Sequence, residues 1–433
     1  MKKIMVSLTA ASLVFGASAF ADVDFDVSGQ AKVFYETNDA GENTLFGTDS
    51  AASTNGASSK ASVGIQLNAN ADLGNGFGFG SQATMLQTWG LEKKLVGDTA
   101  QESTNTTTAT WIPLTKLYLT KKIGNTTLKG GRQELPKSLS PLAFSEKWNV
   151  FKNTFDAIVG INSDIPDTTV VAAYVSTSNQ SNGQITDANS LTNFNDLTVT
   201  TGLGNVAVTD GAYMLTVANT SIPLTAVTLS YYSLGGIDAS GIAPSDTFGA
   251  SAMWADVKVA GKELPVGLNI ALQGGQISPD DIENGGVLVV DTEATTVMGA
   301  KAGIAVAGAT VDLAYTTVND GTVGVVNVGT GVKTPLYTQM VGNQGKISSD
   351  NSTIVVKAGY DMGDFGAIAL AYDMTTDNRA AAVAEDYTEL DVVYKAKAGG
   401  VQYFAAYVKA DYDEVGATSK DSQKVRLWAN YAF

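Results

Sequence analysis

Apolar and polar positions alternate with a period of two along most of this 433-residue chain. In the stretch 62–70, Val63, Ile65, Leu67 and Ala69 share one face, and Ser62, Gly64, Gln66, Asn68 and Asn70 share the other. The same division separates Leu268, Ile270 and Leu272 from Asn269 and Gln273. It separates Val311, Leu313 and Tyr315 from Asp312 and Thr316, and Leu390, Val392 and Tyr394 from Asp391 and Lys395. Such alternation marks β-strands with one apolar and one wet face, and the helical spacing of i, i+3, i+4 is almost absent. Short Gly-, Asn-, Asp- and Pro-bearing links fall near 73–76, 124–125, 164–167, 221–223, 261–265, 307–308, 362–366 and 399–400, as tight hairpins require. Long polar links fall at 37–59, 90–110, 133–150, 178–209, 234–246, 278–291, 319–350, 376–385 and 411–420. Eight short and nine long links predict eighteen strands, with sixteen left open because one hairpin is easily miscounted.

A sheet of this size needs something dry against its apolar face, and the sequence offers no helix to supply it. Soluble sandwiches do not segregate short turns to one edge and long loops to the other, whereas transmembrane barrels do. Closure also pairs every backbone N–H and C=O, which an open edge in lipid would leave bare. The pattern therefore predicts an all-β, closed antiparallel transmembrane barrel, with aromatic girdles drawn from Trp89, Trp111, Trp254, Tyr231, Tyr232 and Trp428. The final strand, "VRLWANYAF", sets Val425, Leu427, Tyr431 and Phe433 toward lipid and ends on an aromatic residue, resembling the assembly signal of outer-membrane barrels. At the other end Lys2 and Lys3 precede an apolar run, and Ala19-Phe20-Ala21 offers a cleavage site. That is the layout of a secretory signal peptide over 1–21, leaving one barrel domain over 22–433 in the cell outer membrane.

Composition removes several function classes. There is no cysteine and no histidine, so disulfides, thiolate nucleophiles and the commonest general base and metal ligand are absent. An enzyme is not expected. The formal charge is −16, and an acidic chain repels nucleic acid. No cofactor is required by anything in the sequence.

A barrel of about eighteen strands is too wide for side chains to fill, so a water-filled channel is expected. The segment most suited to narrow it is "GRQELPKSLSPLAFSEKWNVFKNTFDA", rich in proline and mixed charge, folding inward near 133–150. Its candidate constriction residues are Arg132, Glu134, Lys137, Glu146, Lys147 and Asp156, since charges held at a narrowing set ion selectivity. Alternation places Lys116, Lys122, Asp312, Lys357, Asp361, Asp373, Asp391 and Lys395 on the lumen wall.

The "GRQEL" strand exit, the "KNTFDA" return and the "NSDIPDTT" turn resemble the Campylobacter-type major outer-membrane porins, relatives of the OprD-like porins. The resemblance covers about a tenth of the chain. It implies an eighteen-stranded barrel, assembled as a homotrimer by the barrel assembly machinery in outer-membrane lipid, that passes small hydrophilic solutes and ions. It also implies that calcium is possible near the constriction, with Glu134 and Asp156 as candidate ligands; the ligand set, and whether a metal binds at all, stay open. The expected function is a porin for passive diffusion, weakly cation-selective on account of the acidic chain. The alternatives are a substrate-specific channel for small organic acids or amino acids, and a surface adhesin or S-layer-type β protein.

Overall fold

The computed structural model describes residues 23–39, 45–46, 59–88, 110–111, 114–147, 150–179, 195–202, 204–240, 247–261, 263–284, 287–379, 384–413 and 421–433. The predicted signal peptide, Trp89, Trp148 and the Trp111 side chain lie outside the described residues.

The first strands are β1 (Phe25–Asn38), β2 (Ser59–Gly74), β3 (Phe77–Thr88), β4 (Leu114–Ile123), β5 (Thr126–Gln133) and β6 (Phe155–Asn162). Next come β7 (Thr168–Ser178), β8 (Ala212–Asn219), β9 (Thr225–Asp238), β10 (Thr247–Ala260), β11 (Asn269–Pro279) and β12 (Thr295–Val306). The last are β13 (Ala309–Val318), β14 (Asn351–Asp361), β15 (Ala367–Asp377), β16 (Tyr387–Ala398), β17 (Val401–Tyr412) and β18 (Ser422–Ala432). Each pairs antiparallel with its sequence neighbour, and β18 pairs with β1 to close the ring. At the seam Gly29 and Phe433 exchange backbone hydrogen bonds of 2.8 and 2.9 Å. The chain end is thus part of the closure.

The eight short turns fall where the sequence places them. In one two-residue turn, Asn75 and Gly76 take φ of 52° and 77°, the mirror-image turn that matches strand twist. On the long-loop side a hairpin, Asn195–Thr201 with Gly204–Val208, sits above β8 and bridges β7 to β9. The ring therefore has eighteen strands at mid-height and nineteen where that hairpin replaces β8. A separate hairpin, Ile282–Asn284 with Val287–Val290, stands outside the ring.

Alternation sets the two faces. Ile158, Tyr213, Met253 and Met298 point outward and are 63–71% exposed, which forms a belt suited to lipid. Among the described residues no helix is long and apolar enough to cross a membrane. Tyrosines supply the outward aromatics, including Tyr231, Tyr315, Tyr360, Tyr394, Tyr403 and Tyr431. Three expected girdle residues do not: Tyr232 and Trp254 are buried inside, and Trp428 faces the lumen, stacked on Phe404 at 5.1 Å. Their neighbours explain this, because Tyr231, Met253 and Leu427 occupy the outward position beside each.

The inner face is not uniformly wet. From β6 to β13 it carries Val171, Val175, Tyr232, Trp254, Val297 and Val318, all buried in one apolar cluster. What covers them is chain from two loops.

Candidate functional site: a lumen crossed by two inward loops

The segment 134–154, between β5 and β6, folds into the barrel. At its root Glu134 accepts from Lys116 of β4 at 2.5 Å and is also paired with Lys152. Lys116 and Lys152 hold the carboxyl of this loop glutamate below its ordinary range, outweighing the opposing effect of burial. Further along, Leu142 N donates to the hydroxyl of Tyr232 on β9 at 3.2 Å. Near its end Val150 O accepts from Nζ of Lys32 on β1 at 2.6 Å. Strands β1 and β9 lie on opposite sides of the ring, so this loop crosses the lumen.

The segment 319–350, between β13 and β14, was expected among the external loops and instead also turns inward. Its Val323, Val325, Val326, Val328, Leu336 and Ile347 are buried. A loop with that many apolar side chains needs a dry partner, and the apolar inner wall of β6–β13 provides one. Tyr337 Oη donates to Asp256 of β10 at 2.7 Å, Asn343 Nδ2 to Asp373 of β15 at 2.7 Å, and Gly342 N to Glu389 of β16 at 2.9 Å. A single helical turn, α1 (Gln344–Ile347), ends the segment. Lys333 is half-buried, with Nζ donating to Met340 O, Val341 O and Gln344 Oε1 at 2.6–3.0 Å. Burial pushes its amine down to about 8, against the pull of Glu146 and Glu389.

Asn327 joins the two loops. Its Oδ1 accepts from Phe144 N at 3.0 Å, and its Nδ2 donates to Phe144 O at 2.8 Å and to Glu146 at 2.9 Å. Thr330 also donates to Glu146, and Lys137 Nζ reaches Thr334 O at 3.3 Å. Burial drives the Lys137 amine down to about 8 as well.

Of the six candidate constriction residues, Glu134, Lys137, Glu146 and Lys147 lie on the crossing loop. Arg132 and Asp156 do not belong there. Arg132 shares the outer face of β5 with Leu128, and Asp156 that of β6 with Ile158; they pair with each other at 3.2 Å outside the barrel. The period of two decides it, because the strands continue to these positions before the loop begins. For the same reason Glu134 and Asp156 cannot share a calcium ion, being on opposite sides of the wall. Among the described residues no group of three or more acidic side chains is placed to hold a metal.

Lys116, Lys122, Asp312, Lys357, Asp361, Asp373, Asp391 and Lys395 all fall on the inward face, opposite exposed neighbours such as Leu117, Leu313, Val356, Tyr372 and Tyr394. Their surroundings differ. Asp373 and Asp391 are 0% and 6% exposed beneath the second loop, beside Glu389 at 0%. Asp312 is paired with Lys301 at 3.2 Å and Asp256 with Lys258 at 2.8 Å. Lys395 is exposed, and neither it nor Lys32, Lys129 or Lys147 has an ion-pair partner among the described residues. Sequence reasoning missed Lys32, Lys129 and Glu389, although each sits on the polar side of an alternating strand. Asn327 and Lys333 had a fainter signal, the valine run at 323–328 inside an otherwise polar loop.

No family model matches the chain, and no curated protein does. Solved structures do. Pseudomonas aeruginosa OpdO superposes with a TM-score of 0.69 at 15% identity, over 95% of this chain and 97% of that one. Acinetobacter baumannii OccAB3 gives 0.70 at 14% identity, over 95% and 99%. Pseudomonas aeruginosa OpdK, solved with vanillate, gives 0.69 at 13%, over 95% and 98%. Together with the closed ring and its inward loops, these superpositions give the chain the fold of the OprD- and Occ-type porins.

Proposed function

We propose that the protein is an outer-membrane channel through which small carboxylates and similar anions diffuse passively. One observation supports this reading: at the level of the two inward loops the lumen's acids are buried or paired, while Lys147 is exposed without an ion-pair partner among the described residues and Lys116 and Lys152 share a single carboxylate. Asp373, Glu389 and Asp391 lie under the second loop, and Glu134, Asp256, Asp312 and Glu36 are matched to cations. A solute passing the loops therefore meets Lys147 and the Lys116–Glu134–Lys152 cluster, whose two cations share one carboxylate, rather than the acidic excess of the whole chain. The field inside a narrow, low-dielectric passage depends on the charges lining it. Among the described residues nothing couples passage to an energy source. Export by the 1–21 leader, assembly as a homotrimer and the narrower kinship with Campylobacter-type porins belong to the same reading.

A second reading, a general porin with weak cation preference, draws support from the outer rim. There Asp238, Asp291, Glu293 and Asp320 surround a cavity of about 370 Å³, and acids at a mouth concentrate cations. Reversal potentials across a planar bilayer under a KCl gradient separate the two. Chloride preference, with block of current by millimolar small carboxylates, is expected. Potassium preference without block overturns the proposal.

A further inference from the structure

The crossing loop meets the wall at its far end in a shaped seat. Lys32 of β1 points its ammonium between two rings, 5.0 Å from the centroid of Trp428 on β18 and 5.6 Å from that of Phe151 on the loop. The same Nζ donates to Val150 O at 2.6 Å, and no carboxylate lies within ion-pair distance among the described residues. Its charge is met by two π faces and a carbonyl. Directly across the pairing register from Lys32 stands Gly64 of β2. A Cβ on Gly64 would come within 2.5 Å of the Phe151 ring, so the ring occupies a place that any larger residue would fill. Val150 beside it is buried against Phe34 and Leu86. Two independent features, the Lys32 ammonium that is at once donor and ring-facing cation and the bare backbone at Gly64, converge on two consecutive loop residues.

We infer that Lys32 is a positioning residue that fixes the aperture by pinning Val150 and Phe151 to the wall across β18, β1 and β2, with Gly64 as the cut-out that admits the ring. Without the pin, the loop stays rooted at Glu134 and held at Tyr232, but the stretch near 150 swings free and the passage beside it widens. This inference rests on the channel reading above, and concerns which residues set the width rather than which ion passes.

The test is single-channel recording on the purified full-length chain in planar bilayers, with heat-modifiable gel migration as the check on barrel closure. Lys32→Met is expected to raise unit conductance about twofold and to add sub-conductance noise, while weakening exclusion of larger sugars in liposome swelling. Gly64→Val, which leaves Lys32 in place, is expected to do the same by evicting Phe151. Lys32→Arg, which keeps a donor and a cation that stacks on rings, is expected to restore the parent conductance. Should either wall variant fail to close, Phe151→Ala decides, because it alters no strand. Parent conductance and sieving in the closed Lys32→Met barrel, or in Phe151→Ala where that variant decides, overturn the inference. A parent protein that forms no channel at all would instead overturn the function proposed above.

Discussion

The two halves of the lumen are built on the same alternation and end in opposite states. From β6 to β13 the inward residues are Val171, Val175, Tyr232, Trp254 and Val297, covered by loop chain and dry. From β14 round through β1 to β4 many inward positions are Gln30, Lys32, Gln66, Gln82, Lys116, Lys395 and Arg426. There the side chains bond to one another, as when Gln66 accepts from Gln30 at 2.6 Å and donates to Gln82 and Thr84 at 3.2 and 3.0 Å. Inward apolar residues in this barrel thus mark where loop chain packs dry, while inward polar ones pair with one another, with polar groups of the loops, or with water. The passage is displaced toward one side.

Truncation in the dry half has the largest expected effect. Tyr232→Ala removes a buried ring and the hydroxyl that accepts from Leu142 N. Aromatic-to-alanine changes in cores cost about 3–5 kcal/mol. Guanidinium unfolding in detergent should show that loss, and Gln402→Ala, at an exposed inward position of β17, should show far less, because water already solvates its side chain. Equal losses would mean that the halves are not differently packed.

Next in size is the joint between the loops. Asn327→Ala leaves Phe144 N–H, Phe144 C=O and Glu146 each short of a buried partner, at about 1–3 kcal/mol for each group left unsatisfied. Because the barrel wall is untouched, heat-modifiable migration should persist while amide exchange at 142–147 and 327–333 speeds up. Protection unchanged in both segments would show that the loops do not brace each other.

Smaller still is a change of charge in the wet half. Glu134→Gln frees Lys116 and Lys152 from their shared carboxylate and should raise the chloride-to-potassium permeability ratio by about twofold. Lys116→Met should lower it by a similar factor. Shifts of the same sign in both variants would break the link between this cluster and selectivity.

The strands, the eight turns and the inward facing of Lys116, Asp312 and Lys357 were legible because a period of two needs only the residues of one strand. The inward course of 319–350 was not. Its Val325 and Leu336 signal a need for burial, but their partners, Val175 and Tyr232 among them, lie over 90 positions away and look from sequence like lumen residues meant for water. The same gap misplaced the acids. Asp391 reads as a lumen charge and faces the lumen, yet the loop that hides it is specified elsewhere. Net charge, summed over the chain, says little about the charge that a solute meets.

The smallest expected effect is the most telling about the wall itself. Arg132 and Asp156 sit within two residues of the crossing loop and carry the charges that a sequence reader would assign to it. Yet Ile158 and Leu128 beside them face outward, and the Arg132–Asp156 pair, at 3.2 Å, lies on that side. Ion pairs this accessible contribute about 0–1 kcal/mol, so Arg132→Ala and Asp156→Asn should each shift stability by no more than that. Neither should move the reversal potential, because the closed sheet separates them from the permeating ion, whereas Glu134→Gln, the next residue but one from Arg132, should. A selectivity change in Arg132→Ala as large as that in Glu134→Gln would place the pair in the pore and reverse the facing of β5 and β6, and with it the assignment of every inward residue on those strands.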